Sequence, residues 1–224
     1  EFDRIYQAEP GNKAARYNVA LALKSLASLQ SQKGRYQEAA ESSRRAIELD
    51  QLAVKANPDD APALLDLAID YSTLGNAEEN LGDLEGALHE YDRSRELREQ
   101  LYRRDTNNSR LKDRVAYINR LQGLLLVKLN RLGPALPLLQ RALVLNQEAL
   151  QTIDEPDTRS RLAESRAALG YYHCTAGHKQ QGEAMLLPAL EWFERLNEKK
   201  ALSAPDQQSL GKMKEWLGAC GPGR

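Results

Sequence analysis

Apolar positions recur at helical spacing in long blocks along this chain, and the blocks themselves recur. LGDLEGALHEYDRSR, residues 81–95, places a Gly-Asp break just ahead of an amphipathic run; KGRYQEAAESSRRAI begins 48 residues before it and LNRLGPALPLLQRAL 48 residues after it. The small residue inside the run is Ala39, Ala87, Ala135 and Gly182, and seven positions on come Ala46, Ser94, Ala142 and Ala189. The break ahead of the run is Gly34, Gly82, Asn130 and Gly177, residue types that accept positive φ where a helix ends. Upstream, a branched apolar residue followed by Ala recurs as Val19-Ala20, Leu67-Ala68, Val115-Ala116 and Leu162-Ala163. Agreement in four registers predicts an array of repeated units.

Turn-forming segments keep the same interval: Glu9-Pro-Gly-Asn12, Asn57-Pro-Asp-Asp60 and Asp105-Thr-Asn-Asn108, with a shifted fourth at Asp154-Glu-Pro-Asp157. Pro, Asn and Asp stop one helix there, and Asn or Asp caps the next. Each unit therefore reads as a turn, a helix of about 18–20 residues, a tight Gly turn and a second helix of about 20. Small residues such as Ala20 and Ala39 mark close approach of two antiparallel helices. Leu26, Leu74, Tyr91 and Leu139 are predicted to fill the space around them. One pair cannot bury its apolar faces alone, so stacking of neighbours supplies the core.

These residues resemble the tetratricopeptide repeat family. Leu74-Gly75, Gly82, Ala87, Tyr91 and Ser94 stand at the family's spacing, as do Leu169-Gly170, Gly177, Gly182, Leu186 and Ala189. The first unit replaces the Gly by Ala27, and the third keeps Gly123 after Gln122. The ordinary unit of the family has about 34 residues, so the 48-residue interval implies about seven more in each helix, close to two turns, which keeps the buried face. The resemblance implies an all-α, right-handed α-solenoid of antiparallel helix pairs.

Four such units are expected at about 12–56, 57–104, 105–152 and 153–199, after the end of a truncated upstream repeat at 1–11. A capping helix is expected at 204–219, with Asp206 as N-cap and an apolar stripe of Leu210, Met213 and Leu217, before a frayed tail at 220–224. Units with a closing phrase like Arg98–Asp105 are also similar to repeat regions attached to bacterial serine/threonine protein kinases. That implies a catalytic domain elsewhere, because no Gly-rich nucleotide loop, His-Arg-Asp or Asp-Phe-Gly motif is present.

In the family, the first helices line a concave groove that binds a partner segment. Carried onto this sequence, the groove rows place Lys24, Asn76, Asn80, Arg120 and Lys128 as polar anchors for carboxylates or peptide backbone, with Tyr17 and Tyr171 as flat contacts. A Lys-Asn carboxylate clamp found in some members is not matched, since Ser28 and Thr73 stand where that clamp has Asn. A protein or peptide partner is thus expected. Regulation of a larger kinase, or self-association through the upstream repeat face, are the alternatives.

Composition adds exclusions. Thirty-one basic and 32 acidic residues leave a net charge of −1, which gives no global attraction to nucleic acid. No apolar run is long enough to span a membrane. Cys174 and Cys220 are the only cysteines; two thiols so far apart do not build a disulfide framework and point toward a reducing, cytoplasmic setting, or an extracytoplasmic one if the parent is a transmembrane kinase. His173, Cys174 and His178 are too few for a metal site and read as packing or surface residues. His89 reads as a surface residue. Mixed-charge runs such as Asp92–Glu96 read as solvated faces, and Pro188 is expected to kink or delay the last second helix. No catalytic constellation and no cofactor motif is found.

Overall fold

The computed structural model describes residues 2–9 and 11–221, and among them the regular structure is entirely α-helical. Contacts divide the chain into two compact units, Glu1–Asp105 and Thr106–Arg224. The first holds α1 (Phe2–Ala8), α2 (Lys13–Gln32), α3 (Tyr36–Ala56), α4 (Ala61–Leu81) and α5 (Leu84–Arg104). The second holds α6 (Ser109–Lys128), α7 (Leu132–Thr152), α8 (Pro156–Thr175), α9 (Lys179–Glu198) and α10 (Ala204–Cys220).

Helix starts and stops follow local chemistry at the repeat interval. Asn12, Asp60 and Asn108 cap α2, α4 and α6 by accepting hydrogen bonds from backbone N–H groups of the first turn. The fourth first helix departs from this: Glu155 makes no side-chain cap and Pro156 opens α8 instead. Between the helices of each pair, Gly34, Asn130, Gly82 and Gly177 hold φ of 71°, 57°, 89° and 87°, the left-handed conformation that reverses the chain.

In the first unit α3 packs on both α2 and α4, and α5 packs on α4. One cluster joins Val19, Ala20, Leu23, Ala46 and Leu49 with Tyr6 of α1 against it; another joins Ala39, Ala40, Ile47, Leu67, Tyr71, Leu74 and Ala77. Leu26, expected in the core, is 45% exposed, whereas its counterpart Leu74 is buried. The difference has a simple cause: Leu74 is covered by the preceding pair, and α2 has only the short α1 before it.

The second unit repeats the order, with α7 on α6 and α8, α9 on α8, and α10 on α9 and α8. Leu210 and Met213 of α10 join Leu186, Ala189 and Phe193 in one cluster, with Leu217 packed against it. The N-cap of α10 is Ser203, not Asp206; Asp206 is the reciprocal partner of a capping box. The helix also continues to Cys220, one residue past the expected end at 219, and residues 222–224 of the expected tail lie outside the described residues. Its last residue, Cys220, is bonded to Cys174 of α8, with 4.8 Å between Cα atoms. The expectation of two separate thiols is overturned: folding α10 back onto α8 brings together residues 46 apart in sequence. Pro188 does not delay α9, which starts at Lys179 and runs through it.

Candidate functional site

The predicted anchors are best understood through two registers that face each other within a pair. Positions 24 and 72 lie on first helices, and positions 50 and 98 near the ends of second helices. Lys24 Nζ lies 2.5 Å from Asp50 and 3.3 Å from Asp66 of α4, with only 12% of its side chain exposed. One pair later the same registers hold Ser72 and Arg98, and the buried Arg98 guanidinium donates to Ser72 Oγ at 3.1 Å and to Ser94 Oγ at 3.1 Å. Lys24 is therefore built into the first unit rather than held out toward solvent.

Asp70 of α4 completes this group. It is buried, and burial pushes its carboxyl up to about 9; the Lys24 ammonium opposes the rise, while the Asp50 and Asp66 carboxylates and a hydrogen bond with Asp50 add to it. Lys24 is itself held above its ordinary value: desolvation works against its charge, but the surrounding carboxylates prevail. Nearby Asn76 is half-buried, and the exposed Asn80 spends its amide on the Asn76 carbonyl at 2.8 Å. Tyr17 is 54% exposed.

In the second unit Arg120 donates to Glu164 of α8 at 2.7 Å, and Glu164 also accepts from Ser209 of α10 at 2.6 Å. The Arg120 guanidinium lies 5.7 Å from the Tyr117 ring, whose residue is 43% exposed. Lys128 ends α6 and is exposed. Tyr171 stacks on Trp216 of α10 with centroids 5.0 Å apart, so the capping helix covers one ring face.

Two apolar residues absent from the predicted set belong to the same surfaces. Leu21 is 47% exposed three residues before Lys24, and Tyr117 occupies the equivalent position before Arg120. Their exposure was readable as an apolar residue at a polar register. Conversely, the run Asp92–Glu96 is not wholly solvated. Ser94 is buried and donates to the Ala68 carbonyl at 2.6 Å, and Arg93 stacks over the Tyr71 ring at 4.0 Å while donating to its hydroxyl.

His173 is buried and its imidazole is pushed below the ordinary value, first by desolvation and then by His178. Among the described residues no three His, Cys, Asp or Glu side chains are grouped to hold a metal, and no helix is long and apolar enough to cross a membrane.

The family model described as "Tetratricopeptide repeat" matches residues 17–51. No curated protein matches the chain. Among solved structures, BtubC (BKLC) from P. vanneervenii is 19% identical, with a TM-score of 0.64 over 98% of this chain and 80% of that one. YrrB, described as "a TPR protein with an unusual peptide-binding site", is 17% identical with a TM-score of 0.46 over 98% of this chain and 95% of that one. The match at residues 17–51 and the antiparallel helix pairs of both units give the chain a tetratricopeptide-like fold.

Proposed function

We propose that each unit binds an extended segment of a partner protein along the exposed faces of its own first helices. The observation that carries this reading is the recurrence of one surface element, once in each unit. Leu21 and Tyr117 are large apolar residues left open to solvent, each three residues before a cation already fixed by acidic neighbours, Lys24 and Arg120. An exposed apolar contact beside a pre-oriented charge costs little further ordering when a ligand arrives. Tyr17, Asn76 and Asn80 would extend the contact in the first unit, and Lys128 and the half-buried Tyr171 in the second. Lys24, ringed by Asp50, Asp66 and Asp70, holds the helices behind this surface together rather than receiving a ligand carboxylate.

Selection from a displayed peptide library, followed by calorimetry with the selected peptide, tests this. Leu21→Ala together with Tyr117→Ala is expected to weaken binding by tenfold or more while leaving the helical circular dichroism unchanged. Unaltered affinity in that folded double variant would overturn the reading.

A further inference from the structure

In the second unit a cleft of about 600 Å³ opens over the N-terminal half of α8, between the end of α7 and the C-terminal half of α9. Its size falls in the range of small-ligand sites. The register explains why it exists. Positions 23, 71 and 119 hold Leu23, Tyr71 and Asn119, all buried; the corresponding residue of the last pair is Arg166, which is only half-buried and lines the cleft. Likewise Val19, Leu67 and Val115 are buried, but their counterpart Leu162 faces the cleft.

Arg166 has no hydrogen-bond or ion-pair partner among the described residues, although Arg159 in the same wall is paired with Asp154 at 2.7 Å. A half-buried guanidinium without an anion is a costly arrangement. Arg195 of α9, whose Nε donates to the Glu191 carbonyl at 3.3 Å, and Lys199, the residue that caps the end of α9, stand along the same wall, with the Glu191 carboxylate as the one not already engaged, so three cations face one anion. The remaining wall is apolar. Trp192 is fixed by donating its indole N–H to Ser160 Oγ at 3.1 Å, and Leu150, Leu162 and Leu196 stand around it.

We propose that this cleft binds a small organic carboxylate with an apolar body. The carboxylate pairs with the Arg166 guanidinium, with Arg195 and Lys199 adding charge, and the body lies against Trp192 and the leucines. The site is confined to the second unit and is independent of the segment-binding surfaces proposed above.

Isothermal calorimetry of the full chain with 4-phenylbutyrate tests it, with 4-phenylbutanol as the uncharged equivalent and an acetylated peptide ending in a Leu carboxylate as the macromolecular alternative. Trp192 fluorescence, read in a Trp216→Phe background, reports occupancy. Saturable one-to-one binding of the acid is expected, at least tenfold tighter than the alcohol, and Arg166→Gln is expected to remove that difference. Should Arg166→Gln not fold, Lys199→Ala is expected to weaken the acid severalfold. The Leu21→Ala, Tyr117→Ala variant should bind the acid normally, which separates failure of this site from failure of the other. Equal binding of acid and alcohol, indifference to both cleft variants, or binding of the peptide alone would each overturn the assignment.

Discussion

Lys24 of α2 and Asp50 of α3 form an ion pair at 2.5 Å with side chains only 12% and 7% exposed. One pair on, the same two registers are filled by Ser72 and Arg98, joined by a hydrogen bond; in the last pair they are Ala167 and Phe193, which share an apolar cluster. In these three pairs the two positions match each other across one helix–helix contact, whereas in the third Arg120 pairs with Glu164 and Asn146 donates to Ser165, both of α8. Variation at position 24 along the array is therefore first of all a record of internal matching.

That matching predicts an asymmetric mutational response. Lys24→Ala leaves Asp50 and Asp66 without their cation, and removing one member of a buried pair costs about 3–5 kcal/mol. Replacing both with apolar residues of similar volume, Lys24→Met with Asp50→Leu, is expected to recover most of that loss. Urea unfolding of the three proteins measures it; an equally unstable double variant would contradict the pairing.

Asp70 predicts a pH dependence of definite sign. In the folded chain it keeps its proton up to about pH 9, whereas the unfolded chain releases it near the ordinary 3.8. Between those values the folded state binds one proton more, so this group's stabilising contribution is complete below the unfolded value and is lost as pH rises. The slope for one such group is at most about 1.4 kcal/mol per pH unit. Asp70→Asn removes the titration, and its stability relative to the parent should grow from pH 5 to pH 8. Parallel pH profiles in urea melts would refute this.

Gly75 and Tyr91 share one volume. A Cβ at position 75 would lie 2.8 Å from the Tyr91 ring, and the ring is fully buried. Gly75→Ala should therefore destabilise the first unit by about 1–3 kcal/mol despite the better helix propensity of Ala. Adding Tyr91→Leu should relieve part of the loss. The first pair already shows the compensated state, with Ala27 in place of Gly and Ser43 at the position of Tyr91. Thermal melts of the single and double variants give the comparison.

The capping helix has a covalent tie. Beside the Cys174–Cys220 bond, Lys179 donates to the Gly221 carbonyl at 2.7 Å and Trp216 stacks on Tyr171. Reduction by a dithiol should lower stability by about 2–4 kcal/mol and raise amide exchange in α10 before the rest of the second unit. Gly182 guards this bond, since a Cβ there would meet Cys174 Sγ at 2.1 Å. Gly182→Ala is expected to increase the free thiol measured by a thiol reagent, although Ala is the residue at positions 39, 87 and 135. An unchanged thiol count would go against it.

Much of the architecture was legible because it is written in short-range chemistry. Asn12, Asp60 and Asn108 cap helices through bonds to residues two or three positions on, and Gly34 and Gly82 turn the chain with their own φ. Such features need no knowledge of distant contacts. Lys24, Arg120 and Tyr171 were legible as polar or aromatic groups on first helices, but their engagement by Asp50, Glu164 and Trp216 was not, since each partner comes from another helix.

The sequence by itself determined the helix pairs, their turns and the small residues that let helices approach, because helical periodicity and backbone conformation act within a few residues. Only the tertiary structure decided which groups remain available. Exposure of Leu26 but not Leu74, closure of Cys174 onto Cys220, and the cleft holding Arg166 all depend on what a neighbouring helix covers. Burial is a property of packed surfaces, and identical registers acquire different chemistry when their neighbours differ.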